Sequence, residues 1–125
     1  MTRRFVVLRH VVREAAGGAA EEAHVDLMVE DDGAGPDRPL VTFQLDAPPP
    51  ARGRRSFDHR PRYLDYEGPI SGGRGRVERL DAGQVEDVEG DPRATRWRAR
   101  FEGARLLGLH ELRDLGAVGV EVVVL

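Results

Sequence analysis

Polar and apolar positions alternate with a period of two over most of this chain, the pattern of strands with one buried face. Arg4 to Val12 predicts a first strand. His24 to Glu30 alternates cleanly, with Val25, Leu27 and Val29 on one face and His24, Asp26, Met28 and Glu30 on the other. Leu40 to Leu45 repeats the pattern through Val41, Phe43 and Leu45. Arg76 to Leu80 and Gln84 to Val88 predict a hairpin around Asp81-Ala82-Gly83. Thr95 to Phe101 sets Trp97, Ala99 and Phe101 inward against Arg96, Arg98 and Arg100 outward, and Leu106 to Leu112 and Val118 to Leu125 complete the series. Residues 13–23 predict a loop or a frayed helical turn, because Gly17-Gly18 weaken a helical composition. Asp31-Asp32-Gly33 predicts a turn. Pro48-Pro49-Pro50 followed by Arg52-Gly53-Arg54-Arg55 predicts a mobile connection. Arg62 to Tyr66 predicts a short extended piece, and Gly72-Gly73-Arg74-Gly75 a tight loop. Short strands at a spacing of roughly 8–12 residues, with little helix, favour an all-β fold built as a small antiparallel barrel or sandwich.

Composition narrows this further. The length of 125 residues is that of one domain, residues 1–125. No apolar run is long enough for a membrane helix, and Arg9-His10 cut short the apolar start, so a cytoplasmic monomer away from membranes is expected. Cysteine is absent, which excludes disulfides, thiolate nucleophiles and sulfur-ligated metals. All 19 basic residues are arginine and the net charge is −3, which argues against a nonspecific nucleic-acid coat protein but leaves room for a local basic groove.

Three of the four histidines stand in chemically suggestive places. His24 and Asp26 are two apart on a strand and share a face. His10 ends the preceding strand, which can pair alongside. Imidazole, imidazole and carboxylate make a nitrogen–oxygen donor set with open positions, as a catalytic metal requires. The same residues also suit two surface histidines beside a carboxylate. His59 and Tyr63 lie in Asp58-His59-Arg60-Pro61-Arg62-Tyr63. An imidazolium and a phenol can both donate to a phosphate oxygen, with Arg60 and Arg62 adding charge. A packed tyrosine in a solvated basic loop reads equally well from spacing alone. His110 has no second ligand candidate nearby and reads as a core or surface side chain.

Taken in order, these pieces resemble the phosphoesterase domain of bacterial DNA ligase D, also found as small standalone proteins. The shared pieces are the strand Phe5-Val6-Val7-Leu8-Arg9-His10, the segment His24-Val25-Asp26, and Asp58-His59-Arg60-Pro61-Arg62-Tyr63. Glu67-Gly68-Pro69-Ile70, the loop Gly72-Gly73-Arg74-Gly75, Asp81-Ala82-Gly83 and the stretch from Phe101 to Gly108 follow. The resemblance spans roughly residues 4–113. It implies a compact β-barrel and a divalent metal on His10, His24 and Asp26, manganese first, with zinc or cobalt as alternatives. It implies a phosphate pocket with His59 and Tyr63 as catalytic residues. The implied activity is removal of a 3′-terminal phosphate, with resection of 3′-ribonucleotides as a second activity. DNA or RNA/DNA 3′ ends and a repair ligase or polymerase are the implied partners.

Three features depart from the family pattern. His10 and His24 are more widely separated, so residues 13–23 carry an insertion. Met28 stands where the family places a phosphate-binding arginine, with Arg54, Arg74 and Arg76 as candidate replacements. Only nine residues precede His10, without the arm that assists ribonucleotide removal. The expectation is therefore a metal-dependent 3′-end phosphoesterase in DNA repair. The alternatives are a DNA-end or partner-binding module that kept the barrel without catalysis, and an enzyme of another small phosphoester.

Overall fold

The computed structural model describes residues 2–32 and 37–125. Among these residues there are nine strands: β1 (Thr2–Arg13), β2 (Glu22–Glu30), β3 (Leu40–Leu45), β4 (Ala51–Arg55), β5 (Gly68–Pro69), β6 (Arg76–Glu89), β7 (Arg96–Gly103), β8 (Leu107–Asp114) and β9 (Val120–Val124). Short 3-10 turns cover Pro61–Leu64 and Gly116–Val118. Eight strands close into an antiparallel barrel in the order β1-β2-β3-β4-β9-β8-β7-β6, and β6 pairs back onto β1 from Thr2 to Val11. β5 pairs with β6 outside this ring. No helix among the described residues is long and apolar enough to cross a membrane.

Alternation decides what fills the barrel. Phe5, Val7, Leu27, Val29, Phe43, Trp97 and Phe101 are among the buried side chains that pack together inside. An eight-stranded barrel has an interior just wide enough for such side chains, so ligand chemistry belongs on its outer wall. That wall is not wholly polar. Val6, Leu8, Met28, Leu40 and Val77 form a second buried cluster with Leu64, flanked by Tyr63, Tyr66 and Ile70. The segment running from β4 to β6 lies over this face as a cover. Burying a side chain of this size is worth about 1.5–3 kcal/mol, which fixes the cover on the wall.

Several expected elements take another form. Arg52-Gly53-Arg54-Arg55, expected as part of a mobile connection, instead belongs to β4, a barrel strand pairing with both β3 and β9. The piece expected to be extended, Arg62 to Tyr66, instead begins inside a 3-10 turn, Pro61–Leu64, with Pro61 in the first position, where proline's fixed φ fits. The expected hairpin around Asp81 is one continuous strand, β6, whose register against β1 slips between Val7 and Leu8. Residues 13–23 form no helical turn. The β1–β2 ladder runs on to Arg13 and Glu22, and Ala16 and Ala19 close a tight turn over Gly17-Gly18. Of the turn expected at Asp31-Asp32-Gly33, Gly33 lies outside the described residues.

Asp81 has a different task from turn formation. Its Oδ1 accepts the Ala82 and Ala104 N–H groups at 2.9 and 2.8 Å, and its Oδ2 accepts those of Arg105 and Leu106 at 3.0 and 2.7 Å. Burial pushes this carboxyl up, but the four backbone donors outweigh it and hold the group below the ordinary carboxylate range. Gly103 fits here because a Cβ would overlap the Asp81 carboxylate and the Phe5 ring. The β7–β8 turn is thus clamped to the bulge of β6.

Candidate functional site

β1 and β2 build the first half of the site by register alone. His10 pairs directly with His24, and Leu8 with Asp26. The two imidazoles meet edge to face, with ring centroids 4.8 Å apart. His10 Nδ1 lies 3.3 Å from His24 Nε2, which lies 3.2 Å from Asp26 Oδ2. One ligand atom from each residue falls within 4.8 Å of the others. Asp26 is only 2% exposed, so its charge needs a close counterpart.

His10 Nε2 sits 2.9 Å from the Arg74 carbonyl oxygen. A carbonyl only accepts, so Nε2 carries the proton and the Nδ1 lone pair faces His24 and Asp26. A ligating imidazole is commonly held this way, through its second nitrogen. Gly75 makes the approach possible. Its φ is +87°, and a Cβ there would overlap the Val11 carbonyl oxygen. Two imidazole nitrogens and a buried carboxylate fit a divalent ion such as manganese, zinc or cobalt, with open positions left for a ligand.

The second half comes from the covering segment. His59 exchanges both backbone hydrogen bonds with Leu40, at 2.8 and 3.0 Å, which ties the segment to β3. Arg93 pins Asp58, at 2.6 Å, and Asp31 together. His59 Nδ1 lies 2.8 Å from Thr42 Oγ1, and Thr42 is wholly buried. The Thr42 hydroxyl also reaches the Leu40 carbonyl at 3.1 Å, and with its single proton donated there His59 Nδ1 is the donor to Thr42. Nε2 is then the nitrogen left for a ligand. Burial pulls the His59 pKa below its ordinary value, against the Asp26 charge and the Phe57 carbonyl, which favour the protonated ring. Tyr63 stands edge-on to His59 at 5.8 Å.

These halves meet in one cavity of about 270 Å³, whose lining includes His10, Asp26, Met28, His59, Tyr63 and Arg74. Arg60 and Arg62 also reach it. Most arginines of the chain are engaged with carboxylates: Arg3 with Asp87, Arg55 with Asp114, Arg98 and Arg113 with Glu111. Arg60, Arg62 and Arg74 have no carboxylate partner among the described residues. Arg62 lies over the Tyr66 ring at 4.5 Å, and Arg74 bonds Ser71.

Of the expected site residues, the structure gathers His10, Asp26, His59, Tyr63 and Arg74 on this cavity, with His24 beside His10 and Asp26. It places Arg54 and Arg76 elsewhere. Arg54 bonds Gln44 at 3.2 Å on the outer face of β4. Arg76 is engaged by Glu14 and Glu78, which hold its pKa above the ordinary arginine value. Met28 is 1% exposed, lines the cavity and packs beneath the cover, so the cavity floor is apolar there. Residues 13–23 do not line the cavity. Thr42 and Phe57 were missed by sequence reasoning. Thr42 lies on the outward face of β3, opposite Met28, which was its one available signal. His110 is a core side chain, edge-on to Phe101 at 5.6 Å. Comparison with family models finds no match for this chain, and comparison with curated proteins finds none.

Proposed function

We propose that this protein is a metal-dependent phosphoesterase acting on 3′-terminal phosphates of nucleic acid. The observation that carries the reading is a nitrogen–nitrogen–oxygen donor cluster sharing one cavity with His59, Tyr63 and three arginines free of carboxylate partners. Such a cavity suits a dianionic ester better than a neutral ligand. His10, His24 and Asp26 would hold the ion, which would supply Lewis acidity toward a phosphoryl oxygen.

The chain's own groups do the rest. Arg60, Arg62 and Arg74 neutralise non-bridging oxygens. Arg74 serves both halves, its carbonyl orienting His10 while its side chain lines the cavity. Tyr63 donates a hydrogen bond that orients the phosphate. His59, anchored at Nδ1 by Thr42, presents Nε2, and its protonated form donates to the developing charge or the leaving oxygen. The resemblance to the ligase D phosphoesterase domain supports the choice of a 3′ phosphate.

The test is phosphate release from a 3′-phosphate primer–template with manganese, zinc or cobalt. Release is expected from the wild type, falling roughly 10²–10⁴-fold in His59→Ala and to background in His24→Ala, with both variants folded. Full activity in either variant would sink the site assignment. The apolar Met28 floor favours one second reading, a DNA-end-binding module without turnover. Folded, metal-loaded protein that binds such ends and releases no phosphate under any divalent ion would establish it.

A further inference from the structure

We propose that Phe57 is a stacking platform for the nucleobase of the terminal nucleotide, so that the site takes phosphate carried on a nucleoside rather than on a small polyol. The inference rests on the phosphoester reading of the cavity. Of the seven aromatic residues, Phe5, Phe43, Phe101 and Trp97 are buried in the barrel, and Tyr63 and Tyr66 are half-buried in the cover. Phe57 alone stands in solvent, 77% exposed, and it does so on the cavity that holds the anion-binding groups.

Its ring lies nearly parallel to His59, at 4.8 Å and 21°. From there the aromatic surface continues through Tyr63, edge-on to His59, to Tyr66, edge-on to Tyr63 at 6.3 Å. The Arg62 guanidinium lies over both tyrosines. Phe57, His59 and Tyr63 line the cavity, so one of its edges is a row of aromatic rings ending in an exposed phenyl face. A sugar phosphate offers hydroxyls, which find few partners along such a row. A nucleotide offers a phosphate for the arginines and a planar base for the ring. Base–aromatic stacking is sequence-tolerant, since every base has a π face. The base must be unpaired to reach the ring, which points to a single-stranded or frayed 3′ end.

The experiment compares wild type, Phe57→Ala and Phe57→Trp with two oligodeoxynucleotides ending in a 3′-phosphate, one with its terminal base and one abasic at that nucleotide. Affinity is read by fluorescence anisotropy, and phosphate release is read in parallel. Wild type is expected to bind the intact end about tenfold more tightly than the abasic end. Phe57→Ala should abolish that preference while binding the abasic end as wild type does, and Phe57→Trp should restore it. Equal binding of both ends by wild type overturns the proposal. So does an equal loss for both ends in Phe57→Ala, or no binding of either end. A base preference without phosphate release keeps the platform and refutes the hydrolytic reading. Release without a base preference does the reverse.

Discussion

Replacing Asp81 by asparagine tests how the barrel is clamped. The substitution keeps the shape but turns one carboxylate oxygen into an NH₂ group. That group would face two of the four N–H donors now accepted by Asp81, whichever way the amide is turned. A hydrogen bond to a charged group is worth about 1.5–3 kcal/mol, so two losses put roughly 3–6 kcal/mol at stake. A neutral amide is easier to bury than a charge, and the net loss should be about 2–4 kcal/mol. That is a large share of a typical domain's roughly 5–15 kcal/mol. The sole tryptophan, Trp97, is 1% exposed and gives the signal for urea unfolding. The sign of the pH dependence follows from the lowered pKa of Asp81. The stabilisation is complete above the ordinary carboxylate pKa of about 3.9 and is lost as pH falls through the lower folded value. The gap between wild type and Asp81→Asn should therefore be flat near neutrality and close in acid. A gap below about 1 kcal/mol at pH 7, against the 1.5–3 kcal/mol of one such bond, would refute the clamp. A gap that stays constant into acid would also refute it.

Substitutions at two further positions probe the site. Thr42→Val should release His59 from its Nδ1–H form, seen as a shifted tautomer ratio in nitrogen NMR, and slow phosphate release about fivefold to tenfold, the worth of one positioning hydrogen bond. Thr42→Ser should keep both, and an unchanged tautomer in the valine variant would end the assignment. Met28→Arg places a cation on a wall packed by Val6, Leu8 and Leu64. It should lower stability by roughly 3 kcal/mol or more without raising turnover, as measured by thermal unfolding and phosphate release; an unchanged melting temperature would show that the cover is loose.

β2 was the most legible part of the chain. Its alternation set Val25, Leu27 and Val29 against His24 and Asp26, and the two sets do lie on opposite faces, although the cover buries Asp26 and Met28 on the outer one. The misread stretches share a cause. β4 points Ala51, Gly53 and Arg55 toward the barrel side, so it shows no apolar period. Gly53 is there because a Cβ would overlap the Gln44 carbonyl of β3, and Arg55 lies over the Phe43 ring at 5.0 Å. Tertiary closeness, invisible in one strand, replaced the pattern. Asp81 looked like a turn because Asp-x-Gly signals turns locally, whereas three of its four partners, the N–H groups of Ala104, Arg105 and Leu106, lie more than twenty residues away. The outer apolar cluster did leave a trace. Phe5-Val6-Val7-Leu8 is continuous rather than alternating, as a strand covered on both sides must be.

The shared use of β2 by core and site sets where the chain can change length. Consecutive residues of this strand serve opposite faces, so one residue gained or lost between Val25 and Val29 would exchange the tenants of the two faces. Asp26 would turn into the barrel and a valine or leucine would take its place outside. The Gly17-Gly18 turn lies beyond the paired residues and off the cavity, and additions there leave both faces in step. Among descendants of such a sequence, length variation should collect at that turn and be missing from the heart of β2.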